Sequence, residues 1–183
     1  MAESYLSSRS CARVISMDHI DDVVIFENDK LRLEIKDNVA LINGTKAIDK
    51  FIAEKIIPTP DRWIAPLSAI EDETNGEFTS CGCLMGLLYS HVSGGPKAAK
   101  IGYDGIDPYK DDPVDYIARQ VGIPIEIARS MEQSFTWGDK ILTGKLDQNA
   151  FAFGLLVRGQ SEAFINKQRK SIRVFTNFLL PAL

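Results

Sequence analysis

Cys81 and Cys83 stand immediately before the run Leu84-Met85-Gly86-Leu87-Leu88-Tyr89-Ser90-His91. Two of the three cysteines and one of the two histidines thus lie in one short stretch of a 183-residue chain. The periodicity predicts a helix beginning close to Cys81. A thiol at a helix N-terminus is stabilised as thiolate by unpaired backbone N–H groups and the helix dipole, which is how many cysteine hydrolases hold their nucleophile. Such a thiol needs a base within hydrogen-bond reach. His91 lies ten residues further along the same predicted helix, roughly 15 Å away at about 1.5 Å per residue. That leaves His19, so the catalytic reading is a thiol-dependent hydrolase or transferase using Cys81 with His19.

The same segment has a simpler explanation. Gly82, Gly86 and Ser90 recur at i, i+4 and i+8 on one helical face, and Leu84, Leu87, Leu88 and Tyr89 fill much of the remainder. A helix of this kind is buried centrally, with a neighbour packed closely over its glycines. This reading accounts for the glycines, the cysteines and the leucines without chemistry, and it is the favoured one.

Other chemistry has less support. Cys11, Cys81, Cys83 and a histidine match a Cys3His zinc set in number, but not in the paired short spacings that structural sites use. No phosphate-binding glycine loop, Gly-x-Ser-x-Gly elbow or His-Glu-x-x-His pair is present. Neither a metal nor a cofactor is expected. The loop Asp104-Gly105-Ile106-Asp107-Pro108-Tyr109 lacks the ligand spacing of a calcium loop. Its carboxylates, with Tyr103 and Tyr109, read as a contact surface. At the other end of the chain Lys167, Arg169, Lys170 and Arg173 form a basic face with no acid after Ala163. The chain is thus electrically polarised, as a surface that orients a partner is.

The elements that must carry these residues divide into a β-rich part, about 1–80, and a helical part, about 81–183, within a single domain spanning 1–183. Val23–Phe26 and Val39–Ile42 are short apolar runs, and Lys30–Lys36 alternates cleanly with Leu31, Leu33 and Ile35 on one face, between turn residues Asn28-Asp29, Asp37-Asn38 and Asn43-Gly44. Connections this short predict a three-stranded antiparallel meander over about 22–43. A helix capped by Thr45 is expected over about 46–57, ended by Pro58 and Pro60. Asn75-Gly76 predicts a tight turn leading into Phe78. Asp112 and Pro113 open a helix with Val114, Ile117, Ala118 and Val121 on one face, closed by Gly122. Pro124 starts another, with Ile127, Ala128, Met131 and Phe135 inward. Asp147 caps a helix through Leu156, and Ser161 begins the last. The fold class is α+β, a meander packed with about five or six helices.

Residues 116–135 resemble the helix-turn-helix pattern of DNA-binding proteins, with Ala118 as the small residue, Gly122 at the turn and Ile123 after it. The resemblance implies a recognition helix starting at Pro124. Asp111, Asp112, Asp115, Glu126 and Glu132 outnumber Arg119 and Arg129 across that unit, which repels phosphates where affinity should originate. With a net charge of −4, a nucleic-acid partner is not expected. The glycine-bearing helix followed by Gly-Ile-Pro and a second helix also resembles small bacterial and phage-borne or mobile-element-borne proteins of no assigned role, and that resemblance carries no residue over.

An apolar fraction of 45% and a charged fraction of 25% suit an ordinary globular core. No apolar run approaches the roughly 20 residues of a membrane span, and the first residues do not read as a signal peptide. An odd cysteine count without a framework fits a reducing, cytoplasmic setting. Together these features favour a non-enzymatic, cytoplasmic protein-interaction or regulatory module acting through its surface, with a protein partner or a second copy as in a homodimer. The thiol enzyme and then the DNA binder are its alternatives.

Overall fold

A computed structural model describes residues 20–60, 67–69, 77–99, 112–139 and 146–168. The chain is α+β, and the expected meander is its first unit. Strand β1 (Val23–Glu27) pairs antiparallel with β2 (Arg32–Lys36), and β2 with β3 (Val39–Ile42). Alternation sends Leu33, Ile35, Ala40 and Ile42 inward, where Leu33 faces Ile42 and Ile35 faces Ala40 across the ladder. Asp37 and Asn38 both have positive φ, the two-residue turn geometry whose twist matches that of the strands. Asn43 and Gly44 repeat that geometry. They therefore make a second hairpin where the sequence suggested an end, and β4 (Thr45–Lys46) adds a fourth strand.

Thr45 is thus a strand residue and not a helix cap. Helix α1 (Ala47–Ala53) starts after Lys46, which makes no side-chain cap bond. Instead, the Ile48 N–H donates to the Gln160 side-chain oxygen (3.2 Å) from a distant helix. The helix is also shorter than expected. Lys55 turns left-handed at φ 56, and Ile56–Pro58 leaves as β5. A second, three-stranded sheet forms here in the order β5, β7 (Ser80–Gly82), β6 (Leu67–Ala69). β5 runs parallel to β7, and β6 antiparallel to it. The expected turn at Asn75-Gly76 lies outside the described residues.

Helix α2 (Leu84–Ser93) leaves β7 directly and is buried continuously from Leu84 to Ser90. A single helical turn at 96–99 follows. Helices α3 (Pro113–Val121) and α4 (Ile125–Trp137) form a hairpin with the expected caps. The Asp112 carboxylate accepts from the N–H groups of Val114 (2.9 Å) and Asp115 (3.3 Å), and Gly122 closes the helix at φ 80. Helix α5 (Gln148–Gln168) is one continuous helix of 21 residues, where two helices meeting near Ser161 were expected. Asp147 caps it through the Ala150 N–H (2.8 Å).

The principal helix pair is α4 against α5. At its crossing Gly154 lies so close to Met131 and Ser134 that a Cβ there would overlap the Met131 carbonyl and the Ser134 hydroxyl. Above the pair, Phe51 of α1 stacks on Phe135 of α4 with ring centroids 6.3 Å apart. Asn28 ties the first sheet to the helical layer. Its amide donates to the Val121 carbonyl (3.1 Å), and its oxygen accepts from the N–H groups of Lys30 and Leu31.

Candidate functional site

The cysteine segment is placed differently from the expectation in one respect that matters for chemistry. Cys81 lies in the middle of β7, not at a helix N-terminus, and burial pushes its thiol up from the ordinary range. The residue at the start of α2 is Cys83, its N-cap, which is 3% exposed. Burial, followed by the neighbouring Glu132 carboxyl, pushes the Cys83 thiol well up, against the smaller opposing pull of the Gly86 and Met85 N–H groups. A reactive thiol needs the reverse balance. His19 lies outside the described residues, as does Cys11. In the native protein at pH 6, iodoacetamide is expected to leave Cys81 and Cys83 unlabelled over times that fully label them in denaturant. Fast native labelling of Cys81 would instead favour thiol chemistry.

The residue that sequence reading missed is Glu132. Its charge counts among the acids of the α3–α4 unit, yet it is 3% exposed. The signal was present in the spacing: Ala128, Met131, Glu132 and Phe135 fall at i, i+3, i+4 and i+7, which puts Glu132 on the apolar stripe. Its Oε2 accepts from the Met85 N–H of α2 (3.2 Å) and its Oε1 from the Thr136 hydroxyl (2.7 Å), while the Cys83 thiol also faces it. Through the Met85 N–H, this carboxyl from a neighbouring helix caps the first turn of α2 alongside the Cys83 thiol. Burial raises Glu132 to about 7, only partly offset by Thr136, the Met85 N–H and Cys83, in that order.

A second polar group surrounds the far end of α2. The Glu54 carboxylate, at the end of α1, accepts from the Ser90 hydroxyl through Oε2 and meets His91 Nδ1 at 3.3 Å through Oε1. Asn43 Oδ1 accepts from the Arg32 N–H (2.7 Å), which turns its amide nitrogen toward Lys30 O (3.1 Å) and His91 Nε2 (3.0 Å). The consistent assignment has Nε2 accepting and Nδ1 donating to Glu54. Ser90 and His91 both bind the carboxylate and not each other, so this is a clamp between α1, α2 and the β3–β4 turn. It is not a nucleophile–base relay.

The α3–α4 hairpin presents Ile125, Glu126 and Arg129 outward. Arg129 is committed to Asp115 by two hydrogen bonds of 2.7 and 2.6 Å. A DNA-reading helix would need that guanidinium free for phosphate or guanine. With Glu132 buried, the surface excess of acid there is smaller than the sequence suggested, but the arginine of the would-be recognition helix is also spent.

An open groove of about 440 Å³ lies between the first sheet and α5. Val39 and Ile48 form one wall, Leu155, Leu156 and Ala163 the other, and Gly159 lies between them with open space where a side chain would be. Lys46 and Gln160 stand at its edges. Of the residues expected to form an interaction surface, Lys167 is described. It is exposed and lies one turn beyond Ala163 on the same face of α5. Tyr103, Asp104, Asp107, Tyr109, Arg169, Lys170 and Arg173 lie outside the described residues.

Among the described residues no three His, Cys, Asp or Glu side chains gather to hold a metal ion, and no helix is long and apolar enough to cross a membrane. In comparisons with known proteins the chain matches no family model, no curated protein and no solved structure, so its functional reading rests on its own residues.

Proposed function

We propose that this chain is a non-enzymatic protein-interaction module, working in a reducing, cytoplasmic setting, whose docking surface is the groove between the first sheet and α5. The observation that supports it is the groove's chemistry. Its walls are mostly apolar, none of the described residues that line it is acidic, and Lys46 stands at its rim with Lys167 on the continuing face of α5. A surface of this composition complements an amphipathic helix of another protein, with an apolar face flanked by Asp or Glu. Gly159 and Ala163, one turn apart, let a partner backbone approach closely. Openness suits a peptide better than a small molecule, which needs enclosure.

Panning a library of amphipathic helical peptides against the full chain tests this reading. Enriched peptides should carry Asp or Glu beside the apolar face. Gly159→Phe, whose Cβ would meet no protein atom within 4 Å and whose ring would occupy the groove, should weaken them at least about tenfold, the loss of one good apolar contact. Lys46→Glu should weaken them further as salt is lowered. Enriched peptides indifferent to Gly159→Phe would overturn the proposal. A concentration-dependent dimer dissociated by that variant would replace the separate partner with a second copy.

A further inference from the structure

We propose that Glu132 is a proton-linked latch: the carboxyl joining α4 to the first turn of α2 is held neutral in the folded chain on the acid side of neutrality, and its ionisation loosens that joint. The geometry carries the argument. The side chain is buried between helices, accepts from the Met85 N–H and the Thr136 hydroxyl, and touches the Cys83 thiol. Among the described residues no cation contributes to its titration. On α5, Arg158 is turned to the Phe135 and Thr136 carbonyls (2.9 and 3.1 Å) and to Glu162 (3.0 Å). On α3, Asp115 is paired with Arg129 on the exposed side of α4. On α1, Glu54 is engaged by Ser90 and His91. The titratable group facing Glu132 from α2 is Cys83, a thiol that is itself pushed toward neutrality.

A buried carboxylate without a counter-charge costs free energy, and the neutral acid avoids that cost. Neutral Glu132 keeps one oxygen as acceptor for the Met85 N–H and donates its proton to Thr136, whose hydroxyl reverses direction. The folded group titrates at about 7, against 4.5 for an unperturbed one. Below the lower value both states are neutral and nothing is lost. Between the two, the folded chain binds a proton that the unfolded chain has released, so stability falls as pH rises. Above about 7 the loss is complete.

Denaturant unfolding of the wild type and Glu132→Gln across pH 4.5 to 9 tests the latch. Glutamine reproduces the neutral hydrogen-bond pattern, with its oxygen toward Met85 and its NH2 toward Thr136. The ratio of the wild-type folding constant to that of E132Q should fall by about two orders of magnitude between the acid and alkaline limits, following the displacement of the titration. Other carboxylates cancel in the ratio. A ratio flat across this range would overturn the proposal. Should E132Q not fold, the native wild type retains a readout: a protonated-carboxyl infrared band at pH 5 that disappears by pH 9, with its midpoint moved upward in Thr136→Val. Absence of that band at pH 5 would overturn the latch equally.

Discussion

Gly154→Ala is expected to destabilise the chain by about 3 kcal/mol or more, while Gly159→Ala, five residues along the same helix, is expected to stabilise it by about 0.5–1 kcal/mol. Both changes improve helix propensity equally, since alanine loses less backbone freedom than glycine. The difference lies in what the new methyl meets. At Gly154 it overlaps the Met131 carbonyl of α4, which is backbone and cannot swing aside, as well as the Ser134 hydroxyl. Ser134 is itself bonded to the Ser130 and Met131 carbonyls (3.1 Å each). The two helices would have to separate along their main contact. At Gly159 the methyl meets nothing within 4 Å. Urea denaturation of both variants decides the matter, and a destabilised G159A or a tolerated G154A would contradict the described crossing.

Phe135→Ala is the second large effect, an expected loss of about 3–5 kcal/mol. Phe135 is fully buried on α4 and stacks on Phe51, also fully buried, at 6.3 Å between ring centroids and 15° between planes. The ring fills the space where α1 meets the α4–α5 pair, and only partial collapse can follow its removal. A double-mutant cycle with Phe51→Ala should return a coupling of about 0.5–1.5 kcal/mol, the increment expected for an aromatic pair beyond area burial. Additivity within error would mean that the two rings stabilise independent parts of the core.

The elements legible in the sequence were those whose signals are local. The meander followed from apolar runs, one of them strictly alternating, separated by turn residues, and α3 from Asp112, Pro113 and Gly122 at helix boundaries. Less legible were features decided by distant partners. Thr45 resembles a cap, but Asn43-Gly44 makes a hairpin and Gln160 serves α1 from across the fold. Gly159 interrupts the propensity of the last helix without breaking it, and Val157, Ser161 and Ile165 are buried on either side of it. The parallel pairing of β5 with β7 has no signature in three residues each. At the candidate site, the burial of the cysteine helix was readable from its composition. The shift of its start from Cys81 to Cys83 was not, and it exchanges a nucleophile position for a strand position. Glu132 was missed because an acid on an apolar stripe was read by its charge and not by its spacing.

The amide of Asn28 has a consequence for the order of assembly. Its bond to the Val121 carbonyl closes a segment of 93 residues. Loop closure over that length costs about 4 kcal/mol of chain entropy beyond its constant term, far more than one hydrogen bond returns. The β1–β3 hairpins and the α3–α4 hairpin each close over short distances. They are therefore expected to form first, with the asparagine recording their docking and not driving it.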